Sequence, residues 1–327
     1  MADHTRRGAT ATTGEPGNAG REIFSGTIVA LPTPFRGDVV DHEALASHVR
    51  WLVEKGVRGV SPCGTTGEAP VLSTDEQKQV IETVLEAAEG RVPVLAGTGS
   101  NDTRKTVSLS LAAARAGSSG LLVVTPYYNR PTQEGLYRHY ATLAAAVDLP
   151  IVLYSVPGRT GTELAPETVA RLSAIDGVVA LKEAGGSVDR VSRIRSECDL
   201  PILSGDDNLT LPMLAVGARG VISVAANLVP DLVEGMIVAF EQNRVAEARG
   251  LHERTYPLTR ALFHETNPAP VKAALALMGK MQAAVRAPLV EAGEATRTLL
   301  ARELEALGIA SAHSMADGNR ELTATGS

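Results

Sequence analysis

The chain has 327 residues, 44% hydrophobic and 21% charged but only 3% aromatic, so its core must be built from Ala, Val, Leu and Ile. That length suits one large barrel with an appendage. A net charge of −6 without a basic stretch argues against a nucleic-acid partner, and no apolar run reaches the ~18 residues that span a membrane.

From the N-terminus, residues 1–22 are rich in Gly, Ala and Thr and lack apolar periodicity, so a disordered tail is expected. Arg6-Arg7 is not followed by an apolar stretch, which argues against a secretion signal, and Asp3 and Glu15 disfavour a transit peptide. Between 23 and 243 one rhythm repeats about eight times: a short apolar run, then a longer helical pattern. The runs begin near Gly26, Gly59, Val92, Gly120, Pro150, Val178, Pro201 and Gly220. They are almost continuously apolar, as strands buried on both faces of a parallel sheet are. Helix starts are marked by Asp41, by Ser73 with Glu76 in capping-box spacing, by Asn101-Asp102, and by Pro166 early in its helix. The repeat runs without a break and no Gly-x-Gly-x-x-Gly follows the first run, so a closed (β/α)₈ TIM barrel is expected rather than a doubly wound sheet. Residues 244–309 carry helical periodicity without strand signals and read as a helical C-terminal region. The tail 310–327 reads like the first one. Cys63 and Cys198 are too few for a disulfide framework and have no metal-ligand spacing, which suits a reducing, cytoplasmic setting.

Reactive residues of such a barrel sit at the C-terminal ends of its strands. Here those ends carry Gly64-Thr65-Thr66-Gly67-Glu68, Tyr127-Tyr128-Asn129-Arg130, Tyr154 with Arg159, Lys182-Glu183 and Ser204-Gly205-Asp206-Asp207. Lys182 is the sharpest signal, because it directly follows Val178-Val179-Ala180-Leu181 in a strand that should be buried. Desolvation of an ammonium lowers its pKa and yields the free amine that attacks a ketone. The alternative is a structural ion pair with Glu183, awkward because adjacent strand residues point to opposite faces. Tyr154 is either a proton shuttle or a buried phenol with one satisfied hydrogen bond. Thr65 and Thr66 suit carboxylate binding by hydroxyls and backbone N–H groups, or simply a tight turn. Tyr128 is a site residue or an interface aromatic. Arg159 is a bidentate carboxylate holder or a solvated surface residue. Asp206-Asp207 is a site pair or a helix cap. No His or carboxylate spacing calls for a metal.

Together with Gly220-Val221-Ile222-Ser223-Val224 and Asn267-Pro268-Ala269-Pro270-Val271-Lys272, these motifs resemble, in order, the dihydrodipicolinate synthase (4-hydroxy-tetrahydrodipicolinate synthase) family of pyruvate-dependent class I aldolases. The likeness runs from about Gly26 to Ile309. It implies that Lys182 forms a Schiff base with pyruvate and that the derived enamine attacks L-aspartate 4-semialdehyde, toward diaminopimelate and lysine. By resemblance, Tyr154 donates and accepts protons, and Thr65 links it to a Tyr128 supplied by a neighbouring subunit. Thr66 and the backbone near Ile222 hold pyruvate, and Arg159 holds the semialdehyde carboxylate. No cofactor is implied, and the partner is a second copy of the chain, in a homotetramer built as a dimer of dimers. Competing readings are a sister Schiff-base aldolase acting on N-acetylneuraminate or 2-keto-3-deoxy sugar acids, disfavoured by Arg159, and a non-catalytic paralogue. The sequence departs from the family pattern at Ser155 (usually Asn), at Gly185 (Thr or Ser) and in Val285-Arg286-Ala287-Pro288 (Leu-Arg-Leu-Pro). It also places Gln77 near a usual His and Lys105 where lysine-inhibited members have an acid, so weak or absent inhibition by lysine is expected.

Overall fold

The apolar runs become eight parallel strands wrapped into a barrel: β1 (Gly26–Ala30), β4 (Gly59–Ser61), β5 (Leu95–Gly97), β6 (Gly120–Val124), β7 (Ile151–Ser155), β8 (Val178–Glu183), β9 (Ile202–Ser204) and β10 (Gly220–Ser223). The structure, a computed structural model, describes residues 24–309, and the two expected tails lie outside them. Around the barrel the order is β4-β1-β10-β9-β8-β7-β6-β5. A parallel bridge between Val60 and Val94 joins the two ends. Strand β5 begins at Leu95 rather than near Val92, because Pro93 has no N–H to give the ladder and contributes only its carbonyl, to Val60. Every residue of β1, β7 and β8 is buried, as expected of strands lying between barrel interior and helical shell.

One element was not expected. After β1 the chain makes a small antiparallel hairpin, β2 (Phe35–Arg36) with β3 (Val39–Val40). Its signal is the two-residue Gly37-Asp38 turn, with Gly37 at φ +61°.

The shell is formed by α1 (His42–Glu54), α2 (Thr74–Ala88), α3 (Thr103–Ala116), α4 (Gln133–Ala146), the short α5 (Pro157–Thr160), α6 (Pro166–Ser173), α7 (Val188–Glu197), α8 (Thr210–Ala215) and α9 (Pro230–Glu241). Their starts follow local chemistry. Asp41 accepts from the Ala44 N–H, Asp102 from the Arg104 N–H, and Ser73 and Glu76 form a reciprocal capping box. Beyond them α10 (Val245–Ala261), α11 (Ala269–Leu277) and α12 (Glu294–Ala306) pack on α9 and on one another. No described helix is long and apolar enough to cross a membrane.

The segment between α11 and α12 is tied to the barrel by Arg286. Its guanidinium grips both carboxylate oxygens of Glu76 and donates to the carbonyls of Val71 and Asp38. Arg286 holds the Glu76 carboxyl well below the usual range, at about 2, and the Ser73 N–H adds to the effect. A depressed carboxyl pKa gives stability that is present above the unfolded value, about 4.3, and lost as pH falls through the folded one. Glu76→Gln is therefore expected to be less stable at neutral pH and to show a shallower loss between about pH 4.5 and 2. Denaturant midpoints measured across that range test it; parallel curves for the two proteins contradict it.

Candidate active site

Strand register brings two of the candidate side chains together. In the β7–β8 ladder Tyr154 pairs with Lys182, and Ser155 with Glu183. Laterally paired residues of parallel strands point to the same face, and successive residues to opposite faces. Lys182 is 6% exposed, and its Nζ lies 4.2 Å from the centroid of the Tyr154 ring. On the opposite face Glu183 is fully buried against Arg190, and the Ser155 hydroxyl accepts from the Leu164 N–H. Glu183 is thus not the partner of Lys182, and among the described residues Lys182 makes no ion pair.

The lysine stem needs room on its other side, and Gly205 provides it. A Cβ on Gly205 would sit 3.0 Å from Lys182 Cε and 2.6 Å from the Ala184 Cβ. The two aspartates that follow do not cap the helical turn after them, which corrects one reading of Asp206-Asp207. Asp206 accepts from the Gly186 N–H. Asp207 accepts from the Ser223 hydroxyl and from the Val224 and Ala225 N–H groups. Burial pushes both carboxyls above the usual range; these hydrogen bonds and the Lys182 charge oppose it. The pair therefore knits the ends of β8, β9 and β10 together.

The loop after β4 folds tightly, with Cys63 and Glu68 both at φ +56° and the Glu68 N–H donating to the Thr65 carbonyl. Its central hydroxyl, Thr66, is 3% exposed and accepts from Asn267 Nδ2 at 3.1 Å. The Asn267 carbonyl in turn accepts from Arg159 Nη2 at 3.3 Å. Thr65, Tyr154, Arg159 and Asn267 line a single cavity of about 360 Å³. One residue of the C-terminal region thus touches both the threonine loop and the arginine at the rim. In the sequence Asn267 stands out only as part of a motif, because its contact lies 201 positions away.

Two named residues sit apart. Ile222 is buried in β10, two strands from β8. Tyr128 is 90% exposed at φ +73° and faces away from the cavity lined by its neighbour Tyr127. Its loop is braced on both sides, by Asn129 Nδ2 on the Asn101 carbonyl and by Arg130 Nε on the Gly161 carbonyl. A large aromatic held outward at positive φ is an uncommon surface feature.

Sequence reading also missed a buried ion pair beside the site. Lys272 Nζ, fully buried, donates to Glu68 Oε1, and the other Glu68 oxygen accepts from the Arg286 N–H. Burial pulls the Lys272 pKa down to about 8, against the opposing pull of the Glu68 carboxylate. A lysine inside an apolar helix is the same signal that marked Lys182 in its strand.

The family model of the dihydrodipicolinate synthetase family matches residues 23–307. A 4-hydroxy-tetrahydrodipicolinate synthase of Pelobacter propionicus is 50% identical over 289 residues, covering 88% of this chain and all of that protein. The crystal structure of dihydrodipicolinate synthase from Aquifex aeolicus is 42% identical, with a TM-score of 0.87 over 88% of this chain and all of that one. The enzyme of Acinetobacter baumannii, solved in complex with pyruvate, is 40% identical, with a TM-score of 0.85 over 87% of this chain and 99% of that one. By barrel and sequence together, the chain belongs to the dihydrodipicolinate synthetase family.

Proposed function

We propose that the protein is a 4-hydroxy-tetrahydrodipicolinate synthase, condensing pyruvate with L-aspartate 4-semialdehyde through a Schiff base on Lys182. The observation that carries this is the buried Lys182 amine, without an ion-pair partner among the described residues, against the Tyr154 ring, inside a chain 50% identical to a relative over 289 residues. The Lys182 amine adds to the keto carbon of pyruvate and water leaves. The imine withdraws electrons, a methyl proton departs, and the resulting enamine carbon bonds to the semialdehyde aldehyde carbon. The semialdehyde amine then displaces Lys182 from the former keto carbon, closing the ring and restoring the free lysine. Tyr154 carries protons for these steps, relayed through Thr65 and a Tyr128 donated by a neighbouring copy. Thr66, with the backbone near Ile222, holds the pyruvate carboxylate, and Arg159 the semialdehyde carboxylate. The lysine supplies the electron sink, so the chemistry needs no cofactor.

The decisive experiment incubates the protein with pyruvate and borohydride. A reduced pyruvate adduct mapped to Lys182, followed by turnover on adding the semialdehyde, supports the assignment. An adduct on another lysine, or none, sinks it.

The outward Tyr128 supports a homo-oligomer, by family resemblance a dimer of dimers, acting in the cytoplasm. Tyr128→Ala and Lys182→Met are each expected to be inactive, and subunit exchange between them is expected to restore activity, because a mixed pair assembles one intact site. No recovery in verified mixed oligomers, or a fully active monomer, removes the borrowed tyrosine. Lys105 and Gln77 line the same cavity as Tyr154. A cation at 105 repels a second ammonium, so we expect L-lysine to inhibit weakly or not at all. Sub-millimolar inhibition in a steady-state titration contradicts that expectation.

A further inference from the structure

The geometry points to Arg190 as a positioning residue that holds the substrate-binding loop 156–164, and with it Arg159, against the strand carrying Lys182; we propose this on the functional reading above. Arg190 stands in the first turn of α7, and its side chain is 9% exposed. Its guanidinium makes four hydrogen bonds. Nε and Nη2 grip the two oxygens of Glu183 at 3.1 Å each. Nη2 also donates to the Leu164 carbonyl at 2.9 Å, and Nη1 to Glu163 Oε2 at 2.8 Å. One planar group therefore joins the end of β8 to the end of the loop that begins after β7. Only a guanidinium fork makes all four contacts at once.

The surroundings are shaped for this hub. Glu183 is fully buried, and its Oε1 also accepts from the Gly185 N–H at 2.7 Å. A Cβ at position 185 would lie 2.4 Å from that oxygen and 3.3 Å from Arg190 Cδ. The Gly185 departure from the family pattern thus opens space for the ion pair. The Ser155 departure acts on the same loop, its hydroxyl accepting from the Leu164 N–H.

The two sides of the hub do not depend on it equally. β8 is hydrogen-bonded to β7 and to β9, so Lys182 stays in place without Arg190. The loop has no ladder. Besides Arg190 its distal end is held by Ser155 and by Gln133, which spans the Glu163 carbonyl and the Ala165 N–H, while Arg130 Nε holds the Gly161 carbonyl and the Asn267 carbonyl accepts from Arg159 itself. Losing Arg190 therefore loosens Arg159 and leaves the amine where it is.

The test compares Arg190→Lys, which keeps a charge beside Glu183 but loses the fork, with Glu163→Gln, altered only on the half-exposed loop side. At saturating pyruvate, Arg190→Lys is expected to raise the KM for L-aspartate 4-semialdehyde about tenfold or more, and Glu163→Gln to raise it by less. The rate of borohydride-trapped pyruvate adduct should stay within about twofold of wild type. Amide exchange should quicken across 156–164 and not across β8. A merely structural role gives the opposite pattern: kcat and trapping fall together as folded protein is lost, and KM stays put. That pattern, or unmoved KM and loop exchange in both variants, overturns the proposal. Wild-type protein that traps no pyruvate removes the functional reading instead, and loop exchange still decides whether Arg190 holds the loop.

Discussion

Lys182→Met is expected to abolish the trapped pyruvate adduct and to lower kcat/KM by about 10⁴-fold or more. Methionine keeps an unbranched apolar stem in the space beside Gly205 and adds no charge, so the barrel should fold normally. The loss should therefore show in chemistry and not in stability. Neither Tyr154 nor Asp206 can replace the amine, because a phenol and a carboxylate form no imine. Residual activity above about 1% of wild type, with the fold intact, means that the covalent step runs through another group. Pyruvate protection separates the causes: wild type should gain denaturation resistance from pyruvate, and the variant should lose most of that gain.

Much of this arrangement was legible in the sequence, and the reasons are local. Each barrel strand is a short apolar run, four of the eight opening at Gly, and amphipathic helices alternate with them, so fold class followed from the unbroken repeat and the missing Gly-x-Gly-x-x-Gly. Lys182 stood out because a charge interrupts such a run. Capping of α1, α2 and α3 followed from side chains within three residues of the groups they bond. What stayed hidden depends on distance along the chain. Arg190 looks like any charge on an outer helix until Glu183 and Leu164 are brought to it from 7 and 26 residues away. Asn267 shows no site character until the fold sets it beside Thr66. Asp206 and Asp207 precede a helical turn and so read as caps, yet their carboxylates reach other strand ends. The Gly37-Asp38 hairpin was missed because strands of two residues carry no periodicity.

Lys272→Met is expected to destabilise the fold by about 3–5 kcal/mol, more than most single substitutions. The reason is what remains, since the Glu68 carboxyl, its side chain 1% exposed, is left with only the Arg286 N–H donating to it. The Lys272 ammonium also rests 4.1 Å from the centroid of the Phe35 ring, so one side chain links α11, the threonine loop and the β2–β3 hairpin. Desolvation of both ions offsets much of their mutual attraction, so the intact pair contributes little net stability, whereas a lone buried carboxylate is strongly unfavourable. It follows that Glu68→Gln/Lys272→Met should recover much of the loss, with a coupling visible in a double-mutant cycle. Activity should not recover in step. The Glu68 carboxylate anchors the loop that carries Thr65 and Thr66, and a neutral amide grips Arg286 less firmly. Denaturant unfolding of the three variants, with pyruvate KM measured on each, separates the two effects. A single variant as stable as wild type shows that the pair is not what holds the C-terminal helices to the barrel mouth.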